Sequence, residues 1–230
     1  MKTHVFIVND ATFPIHLRYN SGKPIANAGY SGGFDWDPIK RRILLKPNSE
    51  PYPDHRVFND NVLPNICDLQ REKKSYEIYL ELYFTENIGL DPNLNPIVGH
   101  NIIWFGNEVF CGVGMQKIDI LTTCQDNEKK EYKIIELKDE PIKLDIVDQI
   151  EYYVNWASQI SGRHLDGAYS WNIQPVIVAP SHKYNPQKWD KIVSAFKGYN
   201  DKGISKPILY FEFIVNCGKS ISFNRVDYEN

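Results

Sequence analysis

Lys117-Ile118-Asp119-Ile120-Leu121 and Tyr132-Lys133-Ile134-Ile135-Glu136-Leu137-Lys138 are the two stretches on which the reading of this chain turns. Both are rich in β-branched and aromatic residues, and the polar run Gln125-Asp126-Asn127-Glu128-Lys129-Lys130 between them suits a hairpin loop. Side chains alternate faces along a strand. Glu136 and Lys138 therefore share one face, and Ile135 and Leu137 take the other. Antiparallel pairing brings Asp119 beside Glu136. Three charged groups among isoleucines and leucines are costly unless they are paired or bound to a metal.

Such a trio suits phosphodiester hydrolysis. Two carboxylates hold a hard divalent cation such as Mg²⁺, with Mn²⁺ as a substitute, and waters complete its shell. The ion polarises a phosphate and lowers the pKa of a bound water, while a lysine orients that water or offsets developing negative charge. Glu77 and Glu81, four apart on one helix face, are the candidates for a third acid. The competing reading is a cross-strand Asp–Lys or Glu–Lys pair on a solvated face. An E-x-K triplet alone carries little weight against it. Gln149, on the polar face of the helix that follows, adds to the chemical reading.

Working outward, Ser75 to Asn87 reads as a helix opened by a serine cap and closed by Asn-x-Gly. Strands are expected at 101–105, 116–122 and 131–138. Ile146, Ile150, Val154, Ala157 and Ile160 mark the buried stripe of a second helix. A central strand over 174–179, a helix over 184–199 and strands over 209–215 and 220–226 complete an α/β order with a central mixed sheet flanked by helices. Residues 1–74 form a small β-rich N-terminal extension, and 75–230 a second unit. Within the extension, 20–38 reads as loop and 42–46 as a short strand. Pro47, Pro51, Pro53 and Pro64 argue against regular structure until about residue 67.

Composition narrows the classes. The 230 residues are 42% hydrophobic and 24% charged, enough apolar content for a real core. No run of about 18 apolar residues occurs, and the N-terminus turns polar too soon for a signal-peptide core. Cys67, Cys111, Cys124 and Cys217 show neither C-x-x-C nor zinc spacing, and are expected to be reduced thiols in a cytoplasmic protein. The net charge of −3 divides into +3 over residues 1–75 and −6 beyond. Lys40, Arg41 and Arg42, with Tyr30, Phe34 and Trp36, could contact phosphates and stack on bases; the alternative is a surface loop whose aromatics pack on the core. The six histidines share no ligand spacing. Cys111-Gly112-Val113-Gly114 precedes a strand, which disfavours a nucleotide loop. No serine elbow is present. On the Gln149, Tyr153, Trp156 stripe, core packing explains the aromatics.

Taken in order, Asp119, Glu136-Leu137-Lys138 and Gln149 resemble the PD-(D/E)xK, or restriction-endonuclease-like, nuclease superfamily. The likeness is greatest to the C-terminal nuclease domain of NucS-type repair endonucleases. Its counterparts are the acidic helix Glu77 to Asn87, Gly114-Met115-Gln116-Lys117-Ile118-Asp119 with two extra residues before Lys117, Ile135 to Lys138, and Asp148-Gln149-Ile150. Val176 to Pro180, Phe211 to Phe213 and Phe223 to Val226 extend it over roughly 75–228. The resemblance implies a restriction-endonuclease-like core, Asp119, Glu136 and Glu77 (Glu81 in reserve) as metal ligands, Lys138 as water-orienting base or electrostatic stabiliser, and Gln149 in support. It also implies endonucleolytic cleavage leaving 5′-phosphate and 3′-hydroxyl ends, by a homodimer. The N-terminal third does not resemble the single-strand-binding domain of those enzymes. The expected activity is that of a type II restriction enzyme cutting a specific double-stranded DNA sequence. The alternatives are a mismatch- or structure-specific repair endonuclease and an inactive nuclease-fold DNA-binding protein.

Overall fold

The computed structural model describes residues 6–7, 14–15, 34–37, 42–45, 62–111, 116–126, 129–163, 171–217 and 219–228. Its centre is an open six-stranded mixed sheet. Taken from one edge to the other, the strands are β10 (Ser220–Val226), β9 (Leu209–Asn216), β8 (Trp171–Pro180), β7 (Lys129–Leu137), β6 (Gln116–Asp126) and β5 (Ile102–Cys111). β7, β8 and β9 run parallel, and the other neighbours are antiparallel. Parallel neighbours need long crossovers. Helix α4 (Ile146–Arg163) supplies the one between β7 and β8, and α5 (Pro186–Asn200) the one between β8 and β9.

Helices cover both faces. On one side, Ile146, Ile150, Val154 and Ala157 of α4 and Ile192 and Phe196 of α5 pack with Ile134, Ile177 and Tyr210 of the sheet. Across the sheet, Leu63 and Ile66 of α1 (Leu63–Arg71) and Leu80 and Phe84 of α2 (Glu77–Asn87) pack with Ile120, Ile135, Leu137, Val176 and Phe211. Ile97 and Val98 of the short α3 (Asn95–Val98) join them. Two covered faces explain why the central strands read as continuous apolar runs. Among the described residues, no helix is long and apolar enough to cross a membrane.

Several expectations are corrected. Helix α1 starts at Leu63, ahead of residue 67, because Pro64 falls in its first turn, where a missing N–H costs nothing. Leu63 and Ile66 of α1 share a core cluster with Leu80 and Phe84 of α2. Phe34–Asp37 is strand β3, inside the stretch read as loop, and pairs with β4 (Arg42–Leu45). β5 and β6 run several residues past their expected ends, β8 starts three residues before its expected beginning, and β6 and β7 stay paired to Asp126 and Lys129. β1 (Phe6–Ile7) and β2 (Pro14–Ile15) form a further short pair.

Two corrections concern side chains. Ser75 does not cap α2; the cap position is Tyr76, whose side chain makes no capping bond. The free N–H groups there are satisfied from 63 residues away by Asp139, whose Oδ2 accepts from the backbone of Tyr76 at 2.7 Å and of Glu77 at 3.2 Å. The cysteines also depart from expectation. Packing of α1 on β9 brings Cys67 and Cys217 to a Cα–Cα distance of 5.7 Å, and they form a disulfide; Cys111 and Cys124 are buried free thiols. Spacing along the chain cannot report a pair 150 residues apart.

Candidate active site

β6 and β7 pair with Ile120 opposite Ile135, so the next pair outward in the same register is Asp119 and Glu136. Ile135 and Leu137 enter the core on the α2 side. Alternation then turns Glu136 toward α4, where Gln149 Nε2 donates to its Oε1 at 2.6 Å. Lys138, one residue past the strand, donates to the same oxygen at 2.5 Å. Asp119 does not drift. Its Oδ2 accepts the backbone N–H of Leu137 at 2.7 Å, which ties the two strand ends together.

Gln149 is itself held. Its Nε2 also donates to the Tyr153 hydroxyl at 2.7 Å, and that hydroxyl donates to the carbonyl of Lys117. Tyr153, expected only to fill the core, is a buried strut between α4 and β6. The i, i+4 stripe on which both residues sit was legible in the sequence; the hydrogen bond to a neighbouring strand was not.

The electrostatics are those of a charged pocket closed off from water. Glu136 is 1% exposed, and burial pushes its pKa up to about 7 despite the pull of Lys138 and Gln149. Burial raises Asp119 well above the ordinary carboxylate range too, with Glu136 adding repulsion. Burial alone would lower Lys138, but Glu136, Asp119 and Glu77 around it prevail and hold it near 12. Most telling is the second oxygen of Glu136. Oε2 is buried and has no hydrogen-bond partner among the described residues, a state polar atoms seldom keep without a ligand or ion to meet them.

Glu77 stands at the first turn of α2, close enough to raise the pKa of Asp119 and Glu136 and to be drawn on by Lys138. It does not complete a tight set: among the described residues, no three His, Cys, Asp or Glu side chains gather so as to hold a metal ion. The two carboxylates that do meet, Asp119 and Glu136, fit a cation that is content with one or two acidic ligands and water for the rest, as Mg²⁺ is. Glu81 is occupied elsewhere. It is buried, accepts from Asn107 Nδ2 at 2.7 Å, and burial pushes it up to about 8.

Glu108 was not anticipated. It lies on β5 with φ +47, pairs with Lys117, and raises the pKa of both Glu77 and Glu81. A non-glycine residue in the left-handed region costs on the order of 1–3 kcal/mol, and only its acidic character within an apolar run hinted at it. Cys111 is no nucleophile: burial, then Glu136, hold its thiol at about 12. Of the DNA-contact candidates, Trp36 and Arg42 lie on the β3–β4 hairpin, and Tyr30, Lys40 and Arg41 lie outside the described residues, as do Gly114 and Met115.

Buried acids with raised pKa values make stability pH-dependent. Between the ordinary value of 4.5 and about 8 for Glu81, the folded state holds a proton that the unfolded state has released. Stability is therefore fully present below 4.5 and is lost as pH rises through that window. The melting temperature of metal-free protein is expected to fall from pH 5 to pH 8, and Glu81→Gln to flatten the fall. A melting series in the presence of EDTA checks both.

No family model, curated protein or solved structure matches the chain.

Proposed function

We propose that this chain is a Mg²⁺-dependent DNA endonuclease with a restriction-endonuclease-like core, cutting a specific double-stranded sequence as a type II restriction enzyme and leaving 5′-phosphate and 3′-hydroxyl ends. The observation that carries the reading is the buried, unpartnered Oε2 of Glu136. It sits beside the half-buried Asp119 and a lysine that three carboxylates keep protonated. Asp119 and Glu136 would hold the ion, with Glu77 at its margin. When bound, Mg²⁺ supplies Lewis-acid polarisation of the scissile phosphate and a more acidic water.

The chain's own groups account for the rest. Lys138, with its pKa near 12, is a fixed positive charge at neutral pH, which favours the stabilising role over that of a base. Its ammonium also opposes the rise that burial imposes on Glu136 and Asp119 and so favours their ionised forms. Gln149, braced by Tyr153, fixes the rotamer of Glu136 and leaves Oε2 free. The constellation lies at the carboxyl end of β7, with β8 running parallel beside it, where α/β sheets commonly bind ligands. A twofold assembly, which we propose as the working form, would present two such sites to two strands. The cellular location we propose is the cytoplasm.

Plasmid digestion tests the reading. Unmodified plasmid with Mg²⁺ is expected to give discrete, reproducible bands, and EDTA or Lys138→Ala to abolish them. Cleavage confined to mismatched or branched oligonucleotides would convert the proposal to a repair enzyme. Mg²⁺-independent binding without any cleavage would leave only a DNA-binding protein.

A further inference from the structure

We infer that Asp139 is a positioning residue for the cation site, acting through α2; the inference rests on the endonuclease reading above. Asp139 follows Lys138 directly, so it is anchored to the end of β7, where Lys138 N–H donates to the carbonyl of Val178 at 2.8 Å. From there its carboxylate takes the N–H of the cap residue Tyr76 and that of Glu77, the first residue of α2. The start of α2 is thereby pinned to the strand end that carries Glu136 and Lys138. No hydrophobic contact could set this joint so tightly, since two directed hydrogen bonds fix both position and rotation of the first helical turn.

The consequence falls on Glu77. An acid in the first turn of a helix is drawn to the free N–H groups and the positive end of the helix dipole. At this terminus, Asp139 already takes the N–H groups of Tyr76 and Glu77. Glu77, whose own N–H is held by Asp139, is thereby placed at the strand end that carries Glu136 and Lys138, within electrostatic reach of both. Without Asp139, the Glu77 carboxylate has reason to fold back onto its own helix end, and the site loses its marginal acid. Tyr76 supports the joint from the other side, its buried ring packing edge-on against Phe213 of β9 at 6.4 Å between centroids.

The test pairs Asp139→Ala with Asp139→Asn, which keeps an acceptor for the helix N–H groups, and with Glu77→Gln. Calorimetric titration with Mn²⁺ is read alongside plasmid cleavage across a Mg²⁺ series. Asp139→Ala is expected to weaken ion binding and raise the Mg²⁺ needed for half-maximal cleavage by about 10- to 100-fold, with a loss of only a few degrees in melting temperature. Asp139→Asn should restore most of the ion affinity. In the Glu77→Gln background, Asp139→Ala should add little, because both act through one carboxylate. Unchanged Mn²⁺ affinity in Asp139→Ala, or effects that add fully with Glu77→Gln, would overturn the inference. A wild-type protein that binds Mn²⁺ but cuts no DNA refutes the endonuclease reading alone, and the Mn²⁺ titrations then decide on Asp139. A wild-type protein that binds no Mn²⁺ overturns both.

Discussion

Glu136→Gln is expected to lower DNA cleavage by about 10³-fold or more while leaving the fold at least as stable as the wild type above pH 7. The first effect follows from removing the carboxylate whose buried oxygen is free to meet a cation; losing charge stabilisation of this kind costs several kcal/mol at the reacting centre. The second follows from the same burial. Ionising Glu136 against its surroundings is unfavourable, as its pKa of about 7 shows, and glutamine removes that cost without changing the volume. Gln149 keeps an acceptor. Lys138, whose side chain is 23% exposed, can recover solvent on losing its partner. Such a trade of stability for activity is usual where an acid is buried for chemistry. Plasmid cleavage rates and calorimetric melting at pH 8, run side by side, check both halves. A variant that cuts at the wild-type rate would remove the proposed site.

Breaking the Cys67–Cys217 bridge is the second large effect. The bond closes a loop of 150 residues, and the chain-entropy argument assigns about 5 kcal/mol to a loop of that length. Cys217→Ser is the cleaner probe, because Cys217 is exposed whereas Cys67 is buried. The expected outcome is a drop in melting temperature of roughly 10 °C or more for a domain of this size, reproduced in the wild type by strong reductant. Thiol titration of the unfolded protein should count two free cysteines without reductant and four with it. Cleavage should suffer less than stability, since the bond ties α1 to the end of β9 and reaches the site through core packing, with no contact of its own to Asp119, Glu136 or Lys138 among the described residues. Four titratable thiols in protein handled without reductant would return the chain to the reduced state that cysteine spacing suggests.

Alternation along Tyr132–Lys138 was enough to put Glu136 and Lys138 on one face and Ile135 and Leu137 on the other, because a strand's period of two leaves no alternative. Likewise the stripe from Ile146 to Ala157 marked the buried side of α4 and so placed Gln149. These are short-range regularities, and any reader of the chain meets them. The strand ends were less legible. Pairing with β6 carries β5 well beyond the segment that looked apolar, and pairing with β7 starts β8 three residues early, since neighbours supply hydrogen bonds to whatever residues lie alongside.

The amino-acid order of this protein settled its class, a helix-flanked open α/β sheet, and nominated an aspartate, a glutamate and a lysine as the groups to watch, since period and polarity are local properties. Tertiary packing chose the rest. Asp139 in place of Ser75 as the cap of α2, Tyr153 as the brace of Gln149, the strained Glu108 and the Cys67–Cys217 bond all join segments far apart in the chain. Such partners are selected by which surfaces bury one another, and no window of consecutive residues contains that choice.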